Sequence, residues 1–158
     1  TMGNLITGGL TKIHWAQCAN KGPQVTNKTS GADVYVPGVI LGTDHYDFWP
    51  AQKDAASFTA ALNQVPGLTS QRALARANKG QWSLDENGPA NPAGANYGGD
   101  NAFYAQAMVA DVKANIADCA YFTIYDDLGA PKTLNHAFAS NPNWKAAVLG
   151  WLKFQLQG

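Results

Sequence analysis

The 158-residue chain predicts an α/β fold built on a parallel sheet. Three observations point there. Four short apolar runs alternate with longer stretches that carry apolar residues at helical spacing. The runs are continuous rather than alternating, the mark of strands covered on both faces and therefore parallel. Their order is strand, strand, helices, strand, helix, strand, helix, which suits right-handed β–α units. The length fits one domain spanning 1–158, with a sizeable core and no internal repeat or linker.

The first strand is expected in TKIHWAQ (Thr11 to Gln17), bounded by Gly8-Gly9 and by the loop CANKGPQ. The second lies in VPGVILGTDHYDFW, where Val39 to Gly42 is the apolar centre. A helix follows in WPAQKDAASFTAALNQV, with Pro50 near its start. The next, in TSQRALARANKG, has Thr69 or Ser70 to cap it and Gly80 to close it. QWSLDE is the third strand and GDNAFYAQAMVADVKANI an amphipathic helix, with Asp100 or Asn101 as cap. CAYFTIYDD is the fourth strand, and NPNWKAAVLGWLKFQLQG closes the series, with Pro142 in its first turn.

Eleven basic and eleven acidic residues cancel, so no basic face for nucleic acid and no anionic-membrane partner is expected. No segment reaches the roughly 18 consecutive apolar residues of a membrane span. The surface is polar through Asn, Gln, Thr and Ser rather than Lys and Glu, a composition expected of a secreted protein. TMGNLITGGL has no signal-peptide pattern, so a signal would have been removed or would lie upstream. Cys18 and Cys119 are too few for a disulfide framework and are expected as free thiols. His14, His45 and His136 lack metal-ligand spacing, so neither a metal nor another cofactor is expected. No G-x-S-x-G occurs, and NYGGDNAF does not directly follow a strand, which disfavours a serine hydrolase and a phosphate-binding doubly wound fold.

Each apolar run ends in a polar or aromatic cluster: Gln17 and Asn20, Asp44 to Trp49, Asp85 to Asn87, and Tyr125 to Asp127. Parallel α/β folds bind ligands at the carboxyl ends of their strands. Any one cluster is explained by loop starts and helix caps, whereas four together describe one site. Glu86, the only glutamate in the chain, follows Trp82 and Leu84 at such an end. Glycosidases use paired carboxylates there, about 5–5.5 Å apart when configuration is retained. A nucleophilic carboxylate must be ionised, and His45 and Tyr46 are placed to supply donors. Trp15, Trp49, Trp82 and Tyr125 are candidate platforms for sugar faces, although core packing explains Trp82 better. Asn20, Asp44, Asp126 and Asp127 are candidate partners for sugar hydroxyls, and His45 is a candidate substrate contact as well.

The ordered elements WAQCAN, GTDHYDFW, SLDENGP and AYFTIYDD, with the helix GDNAFYAQAMVADVKANI, resemble the C-terminal half of a clan A glycoside hydrolase barrel. The closest likeness is to the β-mannanase family, glycoside hydrolase family twenty-six, and it spans about Lys12 to the end. The resemblance implies four C-terminal βα units of a (β/α)8 TIM-type barrel and an endo-acting, retaining β-glycanase. By carry-over, Glu86 is the nucleophile, Tyr46 its hydrogen-bonding neighbour, and Asp44 and Trp15 sugar-site residues. Asn87 stands where the family commonly has an aromatic, and Tyr125 where a Trp is expected.

The family's acid/base glutamate belongs to the other half of the barrel, and this chain has neither a second glutamate nor a His-Glu pair. A complete barrel takes about 250 residues. The expected partners are therefore a β-linked polysaccharide or oligosaccharide and an N-terminal half-barrel segment or second chain. A lone half-barrel would expose sheet edges and an apolar inner face. A monodisperse monomer active on mannan would count against that partner. The alternative is a non-catalytic carbohydrate-binding protein that keeps the cleft and lacks the acid.

Overall fold

The computed structural model describes residues 16–18, 40–47, 50–64, 67–89, 97–124 and 141–157. Within these the strands are β1 (Ala16–Cys18), β2 (Ile40–Asp44), β3 (Trp82–Glu86) and β4 (Cys119–Phe122). The helices are α1 (Ala55–Leu62), α2 (Leu68–Ala77), α3 (Ala102–Ala114) and α4 (Pro142–Gln157). The strands form one sheet in the order β1-β2-β3-β4. β1 runs parallel to β2 with Ala16 opposite Ile40, and β3 parallel to β4 with Trp82 opposite Cys119. Between β2 and β3, Leu41 N donates to Gln81 O at 3.0 Å and His45 N to Glu86 O at 2.9 Å. Both bonds advance together along the two strands, the sense of a parallel pair. The chain is thus an α/β protein with a parallel sheet. None of the described helices is long and apolar enough to cross a membrane.

The residues group into two compact units. The first contains the sheet and α2, with Leu41, Leu68, Ala75, Trp82 and Leu84 at its core, each 0–1% exposed. Trp82, a candidate sugar platform from sequence, is a core residue instead. The Arg72 guanidinium lies 4.9 Å from its ring centroid, and its indole N–H donates to Asp118 Oδ1 at 2.9 Å. Arg76 also grips Asp118, through Nε at 2.5 Å and Nη2 at 2.9 Å. These hydrogen bonds, the Arg76 pair first, hold the Asp118 carboxyl below its ordinary value. The stability they contribute is present above pH 3.8 and is lost as pH falls through the lowered folded value.

One face of β3 is polar where an apolar inner face was expected. Ser83, fully buried, donates from Oγ to Asp85 Oδ1 at 2.6 Å. A Cβ on Gly42 would meet Asp85 Oδ2 at 1.9 Å, so glycine is what lets this carboxylate lie over β2. Continuous burial marked the strand correctly, but burial on that face is achieved by hydrogen bonding rather than apolarity.

Helix α2 begins differently from the expectation. Gly67 is its N-cap, and Ser70 Oγ accepts the Gly67 N–H at 2.9 Å. At the other end Lys79 N donates to Arg76 O at 3.0 Å and Gly80 N to Ala75 O at 2.8 Å. This is a Schellman closure in which Lys79, with φ 53°, occupies the left-handed position and Gly80 stands one residue beyond it. A lysine is strained there. Lys79→Gly is expected to raise stability by about 0.5–1 kcal/mol, after allowance for glycine's looser unfolded chain. The midpoint of denaturant unfolding checks it.

Cys119 is a free thiol, partly buried at the start of β4. Burial, with Asp118 beside it, pushes its pKa up to about 11 from 9.0. The thiolate is the reactive form. Alkylation at pH 8 should therefore run about a hundredfold slower in the folded chain than in urea, as mass spectrometry of the Cys119 peptide would show.

In the second unit α3 packs against α4. Tyr104, Ala105, Met108, Val109 and Val112 form the buried stripe of α3, facing inward at helical spacing. Trp144 and Ala147 are the buried residues of α4. The adjacent residues Asp100 and Asn101 divide the capping between two helices. Asn101 Oδ1 accepts the Tyr104 N–H at 3.2 Å and so starts α3. Asp100 accepts the Asn143 and Trp144 N–H groups, both at 3.0 Å, and starts α4. Helix α1 starts at Ala55, later than Pro50 suggested. Ser57 N donates to Asp54 Oδ1 at 2.8 Å and Asp54 N to Ser57 Oγ at 3.1 Å, a reciprocal cap that fixes the start.

Candidate functional site

Glu86 ends β3 and Tyr46 follows β2 by two residues. The Tyr46 hydroxyl donates to Glu86 Oε2 at 3.1 Å across 40 residues of sequence. Tyr46 is 8% exposed, while Glu86 is half-buried. The carboxylate therefore retains a path to solvent, while the phenol that holds it is fixed in the core. A charge-assisted bond of this kind fixes the orientation of the carboxylate.

Backbone and side-chain bonds hold both residues in place. His45 N donates to Glu86 O at 2.9 Å, joining the residue before Tyr46 to Glu86 itself. Gln52 Nε2 donates to Tyr46 O at 3.1 Å. Asp47, fully buried, accepts the Gln52 N–H on Oδ1 and the Asn101 amide on Oδ2, the latter at 2.7 Å. Asn101 Nδ2 also lies 2.8 Å from Gln52 O. Burial pushes the Asp47 carboxyl above its ordinary value, and these donors oppose the rise. Gly98 N donates to Asp47 O at 2.8 Å, closing the turn that leads to Asp100 and Asn101.

His45, expected to face a sugar, is 7% exposed and lies in the support of the site. Its Nε2 is 3.4 Å from Gln52 Oε1, and its ring stacks on Tyr104 with centroids 6.0 Å apart. The edge of Phe58 closes on it at 6.5 Å. Asp44, the last residue of β2, is half-buried at the strand's carboxyl end. Trp15, Asn20, Trp49, Tyr125, Asp126 and Asp127 lie outside the described residues.

Several residues around the pair carried little sequence signal. Tyr104 is fully buried, and its hydroxyl is 2.9 Å from both His45 O and Asn87 Oδ1. Burial raises its pKa well above the ordinary tyrosine value, so the hydroxyl keeps its proton. Asn87, also fully buried, leaves Nδ2 without a hydrogen-bond partner. Gln52 and Tyr104 read in sequence only as helix residues, whereas Asn101 was visible as a cap.

Chemically, the arrangement presents one half-exposed carboxylate on a rigid strand end, with a phenol donor on one oxygen. That suits nucleophilic attack or electrostatic stabilisation of a cation. Among the described residues no group of three or more His, Cys, Asp or Glu side chains is gathered as a metal would require. The chain matches no protein-family model, and no curated protein or solved structure matches it.

Proposed function

We propose that this chain carries the nucleophile half of a retaining, endo-acting β-glycanase of the β-mannanase type. The observation that carries the reading is the Tyr46–Glu86 hydrogen bond at 3.1 Å, which joins the two residues the motif order singles out. Glu86 attacks the anomeric carbon and forms a glycosyl ester, which water then hydrolyses. Tyr46 orients the carboxylate, and because the ester oxygen of the intermediate is a weaker acceptor than the carboxylate, the Tyr46 bond assists departure of Glu86 when water hydrolyses the ester.

The strand order gives further support. Four strands following one another as neighbours, β1-β2-β3-β4, suit consecutive units of a (β/α)8 barrel. A doubly wound sheet reverses its order at a switch point. The acid/base group is supplied by a carboxylate other than glutamate in this chain, or by an N-terminal half-barrel segment or second chain, since Glu86 is the only glutamate. The polar, partly buried face bearing Ser83 and Asp85 favours an interior that contacts other polar groups.

The test is hydrolysis of β-1,4-linked manno-, gluco- and xylo-hexaoses by this chain, alone and together with its N-terminal half-barrel, followed by proton NMR of the first product. Release of the β-anomer supports the retaining mechanism. Release of the α-anomer, or no hydrolysis in either arm, rejects it. Binding of the same sugars without hydrolysis in both arms would instead identify a carbohydrate-binding protein.

A further inference from the structure

Beneath the Tyr46–Glu86 pair, one hydroxyl spans the two strand ends that present it. His45 immediately precedes Tyr46, and Asn87 immediately follows Glu86. The Tyr104 hydroxyl lies 2.9 Å from His45 O and 2.9 Å from Asn87 Oδ1. We propose that Tyr104 is a positioning residue that sets the geometry of the Tyr46–Glu86 pair by clamping its two neighbours; the proposal rests on the glycanase reading only for its consequence in catalysis.

A hydroxyl has one proton and cannot donate to both acceptors at once. The conflict disappears if the Asn87 amide is turned over, because its oxygen and nitrogen are interchangeable by shape. Asn87 Nδ2 then donates to Tyr104 Oη, which donates to His45 O. The relay runs one way from the end of β3 to the end of β2. It also converts the unpaired buried atom of Asn87 from a donor into an acceptor, the less costly kind to leave unpaired. The His45 N–H to Glu86 O bond at 2.9 Å runs in the opposite direction, so the two strand ends are joined by two separate links.

The ring of Tyr104 is fixed independently of its hydroxyl. It stacks on His45, meets the Phe58 edge at 6.0 Å and tilts against Trp144 at 5.7 Å. The Asn101 cap fixes the first turn of α3 from which it projects. Removing the oxygen alone therefore tests the clamp without emptying the core.

Because Glu86 is the only glutamate, labelling with δ-13C glutamate gives a single glutamate carboxylate resonance from this chain. Tyr46→Phe is expected to move that resonance by removing its donor. Tyr104→Phe is expected to move it in the same direction and broaden it, although Tyr104 does not touch Glu86. In the double variant the further effect of Tyr104→Phe should vanish, since it acts through Tyr46. A resonance unmoved in Tyr104→Phe overturns the proposal. So does an equal movement in the Tyr46→Phe background, which would mark a general structural role. Should Tyr104→Phe fail to fold, Asn87→Ser breaks the other end of the relay and carries the same expectation. With the NMR pattern as expected and no hydrolysis of any β-glycan, the clamp stands and the glycanase reading falls.

Discussion

Glu86→Gln is expected to lower β-glycan hydrolysis by about three orders of magnitude or more, or about 4 kcal/mol of transition-state stabilisation. The amide keeps the shape and the Tyr46 contact, so oligosaccharide affinity should change little. That split separates a nucleophile from a sugar-binding residue, whose loss would raise KM with kcat preserved. Glu86→Ala sharpens the assignment further. Azide added with an activated aryl β-glycoside enters the space left by the carboxylate and yields an α-glycosyl azide. A β-azide would instead mark Glu86 as the acid/base. Tyr46→Phe removes one hydrogen bond to a charged group, about 1.5–3 kcal/mol, so a loss of about ten- to a hundredfold is expected. Turnover unchanged in Glu86→Gln would end the nucleophile assignment.

The fold was legible where the signal is local. β2 and the first three residues of β3 are buried on both faces, so even Ser83 sits inside a run that reads as buried. Helix α3 shows its stripe through Tyr104, Met108 and Val112, each four residues from the next. The pair itself was legible because two motifs in a fixed order bring Tyr46 and Glu86 to adjacent strand ends. The support beneath it was not. Tyr104 reaches His45 across 59 residues, and Asn101 reaches Asp47 across 54. Hydrogen bonds at that separation leave no periodicity in the chain. Asp47 therefore read as one more residue of a site cluster, and His45 as a sugar contact, when both face inward. The glycine signals were misread by position: Gly80 marks the end of α2, but Lys79 takes the left-handed turn.

Gly98→Ala should be the most damaging substitution outside the pair. A Cβ at Gly98 would lie 1.4 Å from Asp47 Oδ2 and 2.3 Å from its carboxyl carbon, so the side chain would have to leave. It cannot leave cheaply. Asp47 is fully buried, holds the Gln52 N–H and holds Asn101, which in turn caps α3. Overpacking and stranded buried donors together are expected to cost about 3 kcal/mol. Gly42→Ala provides the internal comparison. Its Cβ would also meet a carboxylate, Asp85 Oδ2 at 1.9 Å, but Asp85 is half-exposed and can swing aside. The loss there should be smaller, and equal losses in the two variants would refute the argument. Acid titration separates the sites further. Because burial raises the Asp47 pKa in the folded state, its contribution to stability is fully present below pH 3.8 and is lost as pH rises through the raised folded value. Wild type should therefore gain on Asp47→Asn as pH is lowered through that window. The opposite trend would mean that the Gln52 and Asn101 donors outweigh burial at the centre of this unit.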